Sequence, residues 1–145
     1  FINLQLRPRD SGGTFFEIDQ QLGKGALNED GPWHPAGPDW QRAKQLGRVK
    51  GIAGAEIQCD DPMSVSQRWA EIAQLALDKS DGVSQIFFEN AVVRFVSCTD
   101  GRPEGLGGID IETTNKPAIL EVAAARGKVS GDDQICLCGM RMNLV

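Results

Sequence analysis

Histidine and net positive charge are what this sequence most clearly lacks. His34 is the only histidine among 145 residues, so a site with two or three histidine ligands is excluded, and a serine or cysteine triad has no histidine to serve it. The 15 lysine and arginine residues are outnumbered by 20 aspartate and glutamate residues, which gives a net charge of −5. Because phosphate binding needs clustered basic side chains, this balance argues against a nucleic-acid partner.

Long apolar runs are absent as well. No stretch of 18 apolar residues occurs, so the sequence predicts a soluble protein without a membrane partner. The contents of hydrophobic residues, 41%, and of charged residues, 24%, are those of an ordinary globular domain and argue against disorder. The four cysteines all fall in predicted strands rather than in loops, which favours reduced thiols and a cytoplasmic location. They are Cys59, Cys98, Cys136 and Cys138.

The residue pattern divides the chain into four segments. Residues 1–22 alternate apolar and polar side chains around a glycine-rich loop, which predicts two strands. Residues 23–49 are so rich in glycine, proline and tryptophan that they predict a packed linker. Residues 50–115 follow the order strand, helix, strand, strand, strand. Residues 116–145 predict a C-terminal helix and strand.

A short repeat suggests how these segments are related. The pattern Gly-Gly-x-x-x-Glu occurs twice on predicted strands, ending at Glu17 and at Glu112, which are 95 residues apart. This offset is about the length of one strand-helix-three-strand unit with its linker, so it predicts an internal duplication. Residues 1–22 would then be the last strands of an incomplete first module, and residues 50–115 the second module. On this interpretation, Phe1 is expected to be the cut edge of a larger protein.

These features resemble the vicinal oxygen chelate superfamily, which includes glyoxalase I, the bleomycin-resistance proteins and the extradiol dioxygenases. The resemblance rests on the βαβββ order, on Gly-Ile-Ala-Gly-Ala-Glu-Ile-Gln-Cys-Asp-Asp-Pro at residues 51–62, and on the two Gly-Gly-x-x-x-Glu strands. It implies an α+β fold in which βαβββ modules form a curved mixed sheet, shaped as a cup. Many members of the superfamily bind a divalent metal in the cup, through His, Gln or Glu on a module's first strand and Glu on its last.

The resemblance implies a set of metal ligands in this chain. Glu17 and Glu112 match the last-strand positions of the two modules. The first-strand position at which the family often has histidine falls on Gly54, which has no side chain to bind a metal. Glu56 lies two residues further on and points to the same face of the strand, so it is a candidate for a displaced ligand. The implied cofactor is a divalent metal, Mg, Mn, Fe or Zn, and carboxylate ligands favour Mg²⁺ or Mn²⁺.

Strand alternation predicts a polar sheet face that brings Glu56, Arg94 and Glu112 together. In the functional interpretation, Arg94 binds an anionic substrate, and Glu56 or Glu112 acts as the catalytic base or as a metal ligand. In the alternative interpretation, an arginine neutralises two carboxylates on an ordinary sheet face. Trp33 and Trp40 are candidates for lining the substrate pocket, or else they anchor the linker against the sheet.

Three functions follow from the sequence as hypotheses. The first is a metal-dependent lyase, isomerase or dioxygenase of the glyoxalase-like type, acting on a small anionic or oxygenated substrate. The second is a metal-free protein that binds and sequesters a small molecule, as bleomycin-resistance proteins do, and the glycine at the histidine position favours it. The third is a module that serves only assembly. Its main purpose would be to form a dimer by pairing of open sheet edges, and a homodimer is the expected assembly of this protein.

Overall fold

The computed structural model describes residues 1–145. It contains ten β-strands and three α-helices, with two short 3-10 turns at His34–Ala36 and Trp40–Ala43. In chain order, the elements are β1 (Ile2–Leu6), α1 (Pro8–Ser11), β2 (Phe16–Gln20), β3 (Val49–Cys59), α2 (Pro62–Ala73), β4 (Leu77–Asp78), β5 (Ser84–Phe87), β6 (Val92–Ser97), β7 (Gly105–Thr113), α3 (Lys116–Ala125), β8 (Val129–Gly131), β9 (Gln134–Leu137) and β10 (Met140–Leu144).

Eight of the strands form one mixed sheet in the order β4-β5-β6-β3-β7-β10-β9-β8. The sheet has two halves of identical topology. In the N-terminal module, β3-α2-β4-β5-β6, the first strand is parallel to the last, and the same holds for β7 and β10 in the C-terminal module, β7-α3-β8-β9-β10. Strands β3 and β7 join the two halves as antiparallel neighbours. The fold class expected from the sequence, α+β with βαβββ modules and a mixed sheet, is therefore confirmed.

The boundaries between modules were predicted wrongly. Strand β7 opens the C-terminal module, whereas the sequence analysis placed it at the end of a module spanning residues 50–115. Residues 116–145 are not an appended helix and strand, because they hold a helix and three strands that complete this second module. The apolar alternation of a strand gives its two faces but not its neighbours, so the pattern alone could not distinguish a last strand from a first one.

Residues 1–22 are not part of either module. Strands β1 and β2 pair with each other in a separate two-stranded sheet, with Gln5 opposite Glu17. This hairpin packs on helix α2: the rings of Phe16 and Trp69 are 4.7 Å apart in an edge-on arrangement, and Trp69 Nε1 donates a hydrogen bond to the Gly12 carbonyl at 3.1 Å. The repeat that ends at Glu17 therefore does not mark a duplicated module.

A different repeat reflects the duplication. Gly54-Ala-Glu56 in β3 and Gly108-Ile-Asp110 in β7 occupy equivalent positions, because Gly54 pairs with Asp110 and Glu56 pairs with Gly108 across the antiparallel junction. The offset of 54 residues between Glu56 and Asp110 also separates the two helix N-caps. The N-cap side chains, of Asp61 in α2 and Asn115 in α3, each accept a hydrogen bond from the backbone N–H three residues later.

Both long helices cover the same face of the sheet. One buried core joins Ile57 and Phe95 to Trp69 of α2, and a second joins Ile111 and Ile135 to Ala123 of α3, among other residues. Since side chains alternate along a strand, the residues next to these core positions point to the face that neither helix covers. That face carries the polar cluster described below. None of the helices has both the length and the apolar character needed to cross a bilayer.

The cysteines are all free thiols, but only two of them lie in strands. Cys59 in β3 is fully buried, and burial raises the pKa of its thiol to about 12. Cys136 lies in β9. Contrary to the sequence prediction, Cys98 follows the end of β6, and Cys138 lies in the turn between β9 and β10 with a positive φ of 53°.

Candidate functional site

Five polar side chains meet on the uncovered face, at the junction of the two modules. They come from the four central strands and are called the central cluster here: Glu56 of β3, Arg94 of β6, Asp110 of β7, and Arg141 and Asn143 of β10. Strand register brings them together, because Glu56 pairs with Arg94 and Asp110 pairs with Asn143 as direct neighbours. The N-terminal module thus supplies two members of the central cluster and the C-terminal module supplies three.

Arg94 lies at the centre of this arrangement. Its guanidinium donates two hydrogen bonds to the Asp110 carboxylate, from Nη1 at 2.5 Å and from Nη2 at 2.6 Å. The same Nη2 also donates to Glu56 at 3.3 Å. The Arg94 side chain is 23% exposed and that of Asp110 only 5%. A two-point Arg–carboxylate pair of this kind is among the strongest and most directional polar contacts in proteins.

Glu56 receives donors from three sides. Apart from Arg94, Arg141 donates to Glu56 through Nε at 3.1 Å, and Asn143 donates through Nδ2 at 3.2 Å. Asn143 also donates to Asp110 at 2.8 Å, so a single amide links the two carboxylates. Every oxygen of the two carboxylates therefore accepts at least one hydrogen bond from the protein itself.

A second layer of polar groups holds Arg141 in place. Its Nη1 contacts Asp100, and its Nη2 donates to Gln58 Oε1 at 3.3 Å. Arg102 donates to Asp100 from Nη2 at 2.6 Å and from Nε at 2.9 Å, and these bonds, above all, hold the pKa of Asp100 well below its usual range. Gln58 is fully buried and donates to the Pro103 carbonyl at 2.9 Å. This layer fixes the loop between β6 and β7 against the edge of the central cluster.

Two glycines make room for the carboxylates. A Cβ atom on Gly54 would lie 2.4 Å from Asp110 Oδ2 and 2.7 Å from the Val92 carbonyl oxygen. A Cβ atom on Gly108 would lie 2.7 Å from Glu56 Oε2. Each module thus supplies a glycine opposite the carboxylate of the other. The glycine at the position where histidine was expected is explained by this packing, since any side chain there would displace Asp110.

The charge state of Asp110 follows from its surroundings. Burial acts to raise its pKa, but hydrogen bonds from Arg94 and Asn143 outweigh burial and hold the pKa below its usual value. Conversely, the Asp110 carboxylate raises the pKa of Arg94, in spite of burial. The pair is therefore ionised at neutral pH, as a guanidinium and a carboxylate.

The lowered pKa of Asp110 predicts a pH dependence of stability. The carboxylate has a lower pKa in the folded than in the unfolded chain, so its contribution is fully present above the unfolded value, near 3.8, and is lost as the pH falls through the folded value. We expect Asp110→Asn to lower the free energy of unfolding at pH 7. Below pH 4, the slope of this free energy against pH should be shallower in the variant by up to about 1.4 kcal/mol per pH unit, the value for one bound proton. Urea denaturation across this pH range measures both. Equal acid slopes in the two proteins would contradict the assignment.

Of the predicted residues, only Glu56 and Arg94 belong to the central cluster. Glu112 lies further along β7 and is half exposed, where it forms an ion pair with Lys50 at 2.9 Å. Glu17 lies in the separate hairpin and accepts a hydrogen bond from Gln5 at 2.7 Å. Glu17 and Glu112 belong to different sheets and have different partners, and their joint role as metal ligands remains a prediction. Asp110, and not Glu112, is the carboxylate of β7 that lies beside Glu56 and Arg94.

The linker residues lie apart from the central cluster. Trp33 lines a cleft of the linker together with Phe1 and His34, whose rings stack at 5.3 Å. Trp40 donates through Nε1 to the Gly31 carbonyl at 3.1 Å. Neither tryptophan hydrogen-bonds to the central cluster; their role in lining a substrate pocket or in anchoring the linker against the sheet remains a prediction.

Three members of the central cluster were not singled out as site residues from the sequence. Asp110 lies two residues before Glu112 on the same strand, and Arg141 and Asn143 fall in the C-terminal segment for which the sequence predicts only a helix and a strand. The signal that could have found Asp110 is the Gly-x-acid repeat of β3 and β7. Arg141 and Asn143 alternate with apolar residues in Met140–Leu144, but only the parallel pairing of β10 with β7 shows where they point.

The donor set of the central cluster does not fit a divalent metal. A hard cation needs several carboxylate oxygens free to coordinate it, whereas those of Glu56 and Asp110 are taken by arginine and asparagine donors. The guanidinium of Arg94 already lies between the two carboxylates and would repel a second cation. Nowhere in residues 1–145 do three His, Cys, Asp or Glu side chains form a group that could hold a metal ion.

Comparison with known proteins gives matches in solved structures only. No protein-family model matches the chain, and no curated protein matches it either. Methylmalonyl-CoA epimerase from Mycobacterium tuberculosis is similar with a TM-score of 0.48 and 11% identity, over 70% of this chain and 91% of that one. A hypothetical protein from Bacillus halodurans has a TM-score of 0.46 and 14% identity, over 65% and 91%. A variant of Streptomyces coelicolor methylmalonyl-CoA epimerase in complex with 2-nitronate-propionyl-CoA has a TM-score of 0.44 and 12% identity, over 66% and 93%.

Proposed function

We propose that this chain is a metal-independent module of the vicinal oxygen chelate type that binds a small, oxygen-bearing molecule on the uncovered sheet face. The observation that carries the proposal is the position of Arg94. Its guanidinium bridges Asp110 and Glu56 at 2.5–3.3 Å, and Glu56 is the residue that the resemblance offers as a displaced metal ligand. The arginine supplies a fixed positive charge, and a ligand oxygen can be bound by it without a metal.

Binding is favoured over catalysis because the cluster has no free base. A general base must be able to accept a proton from the substrate, but the oxygens of Glu56 and Asp110 already accept hydrogen bonds from Arg94, Arg141 and Asn143. The low pKa of Asp110 makes it a poor proton acceptor. A metal-dependent lyase, isomerase or dioxygenase is the less favoured function, because its metal would have to displace two arginines.

The charge balance of the site limits the charge that a ligand can carry. Arg94, Arg102 and Arg141 are matched by Glu56, Asp110 and Asp100, so the face has no net charge that would attract a highly charged ion. All three arginines have some solvent access: Arg102 is 33% exposed, Arg94 is 23% exposed and Arg141 is 18% exposed. A ligand with hydroxyl or carbonyl oxygens fits this pattern better than a phosphate ester.

A metal titration tests the proposal. We expect the purified protein to contain no stoichiometric metal, and its melting temperature to stay unchanged in excess MgCl₂, MnCl₂, FeCl₂ or ZnCl₂, because an ion that does not bind the folded state cannot stabilise it. Elemental analysis and thermal denaturation measure these two quantities. A rise in melting temperature that Glu56→Gln abolishes would overturn the proposal, since it would place a metal in the central cluster.

NMR spectroscopy of the purified protein tests whether the uncovered sheet face binds a ligand. In a ¹H–¹⁵N titration with small polyols, hydroxy acids and catechols, we expect at least one compound to shift amide signals of β3, β6, β7 and β10 together. Arg102→Gln, which removes an exposed hydrogen-bond donor, is expected to weaken the binding of that compound several-fold. If none of these compound classes perturbs the four strands, the proposed binding face is wrong.

The homodimer remains a prediction. The eight-stranded sheet ends in β4 and β8, which contain two and three residues. Edge strands this short offer few unpaired backbone groups to a second copy, so edge pairing would supply only a small part of an interface. A dimer of this chain would therefore need side-chain contacts in addition to strand pairing.

A further inference from the structure

An apolar cavity lies on the helix-covered face of the sheet, beneath helix α3. Its volume is about 280 Å³, close to the lower end of the range of small-molecule sites, roughly 300–1,000 Å³. Nine of its 12 lining residues are hydrophobic, and none is acidic. The central ones are Ile111, Ile119, Ala123, Ile135 and Met142.

The cavity arises from one difference between the modules. Trp69 of α2 and Ala123 of α3 occupy equivalent positions, each eight residues after the N-cap of its helix, and both are buried. In the N-terminal module, the indole fills the space between helix and sheet, packing edge-on against Phe16 and Phe95 at 4.7 and 5.6 Å. In the C-terminal module, a methyl group stands in its place, so the core beneath α3 is left with unfilled apolar space.

Positive charge surrounds this apolar space. Arg48, Arg126 and Lys128 line the cavity, and none of them forms an ion pair or a side-chain hydrogen bond. Only five of the 15 lysine and arginine residues lack an ion-pair partner, so three of these five gather at one site. In a chain of net charge −5, unpaired cations at an apolar cavity without an acidic residue form a surface complementary to an amphipathic anion.

We propose that the cavity beneath α3 binds a small amphipathic carboxylate, with its apolar tail between α3 and the sheet and its carboxylate among Arg48, Arg126 and Lys128. Burial of the tail provides most of the affinity, and the three cations select the charge of the head group. The site is separate from the central cluster, because Ile111 lines the cavity while Asp110, its neighbour in β7, points to the opposite face. The two sites can therefore be tested independently.

Octanoate and octylamine, which have the same tail and opposite charges, provide the test. We expect octanoate to bind with saturation in calorimetry and to shift NMR signals of α3, β9 and β10, whereas octylamine binds at least tenfold more weakly. The double substitution Arg126→Gln and Lys128→Gln is expected to weaken the binding of octanoate about tenfold, because two partly exposed charges each contribute only a modest free energy. The matched control, Lys24→Gln with Lys79→Gln, removes two unpaired cations that lie elsewhere and should leave octanoate binding unchanged.

A cavity-filling variant tests the cavity without changing any charge. Ala123→Leu adds apolar volume to the buried face of α3, so it should abolish octanoate binding while the melting temperature stays the same or rises. Equal binding of octanoate and octylamine, unchanged binding in Ala123→Leu, or shifts confined to the central cluster would each overturn the proposal. Binding to phospholipid vesicles without any binding of free octanoate would also overturn it and would indicate a membrane surface instead.

Discussion

Replacing Arg94 with methionine is expected to lower the free energy of unfolding by about 3–5 kcal/mol at pH 7, because it leaves a buried carboxylate without its counter-ion. The Asp110 side chain is 5% exposed, and two of its hydrogen bonds come from this one guanidinium, at 2.5 and 2.6 Å. Glu56 loses a donor at the same time. Methionine keeps the apolar bulk of the stem, so the loss measures mainly the missing charge and donors.

Chemical denaturation at pH 7 measures this effect, and the chain offers a matched control. Lys50 and Glu112 form an ion pair at 2.9 Å, but their side chains are about half exposed, so Lys50→Met should cost less than about 1 kcal/mol. The double substitution of Arg94→Met with Asp110→Leu removes the unpaired carboxylate as well and should recover much of the loss. An equal, small effect of Arg94→Met and Lys50→Met would show that the central cluster is not held by a desolvated ion pair.

Adding one methyl group at Gly54 is expected to have the second-largest effect, a loss of about 3 kcal/mol. The new Cβ would approach Asp110 Oδ2 to 2.4 Å and the Val92 carbonyl oxygen to 2.7 Å. The carboxylate could turn away only by giving up its bond to Arg94, and the carbonyl belongs to the backbone of the paired strand β6. Gly54→Ala should therefore both destabilise the fold and disturb the central cluster.

Gly51→Ala in the same strand is the control for this substitution. A Cβ at Gly51 would meet no atom within 4 Å, and neither glycine has a positive φ. Any change in intrinsic strand preference is shared by the two variants, so the difference in their free energies of unfolding isolates the steric clash. We expect Gly51→Ala to change stability by less than about 0.5 kcal/mol. Equal effects of the two substitutions would mean that Gly54 has no role in making room for Asp110.

The elements of the fold could largely be predicted from residue patterns. The residue pattern predicted a strand and then a helix at the start of residues 50–115, and the structure places this helix, α2, at Pro62–Ala73 with Asp61 as the N-cap. The strand predicted before this helix corresponds to β3, which covers Val49–Cys59. These elements depend on local preferences and on periodicity, both of which a short stretch of sequence contains.

The neighbours of these elements could not be predicted in the same way. The repeat ending at Glu17 and Glu112 suggested one duplication, whereas the strand order shows another, with Glu56 equivalent to Asp110. A pattern of three identities recurs easily by chance. Pairing between β3 and β7 joins residues that are between 47 positions (Gln58 and Gly105) and 64 positions (Val49 and Thr113) apart. The entropy cost of closing such a loop is offset by the whole interface and not by a local motif.

The sequence by itself determined the class of fold, the polar character of one sheet face and two members of its site, Glu56 and Arg94. Only the tertiary structure decided that Asp110, Arg141 and Asn143 complete the site and that Arg94 lies between the two carboxylates. Periodicity fixes the face to which a side chain points, whereas register and strand order fix its neighbours. Whether a carboxylate is available to a metal or is held by an arginine depends on those neighbours, and therefore on the fold as a whole.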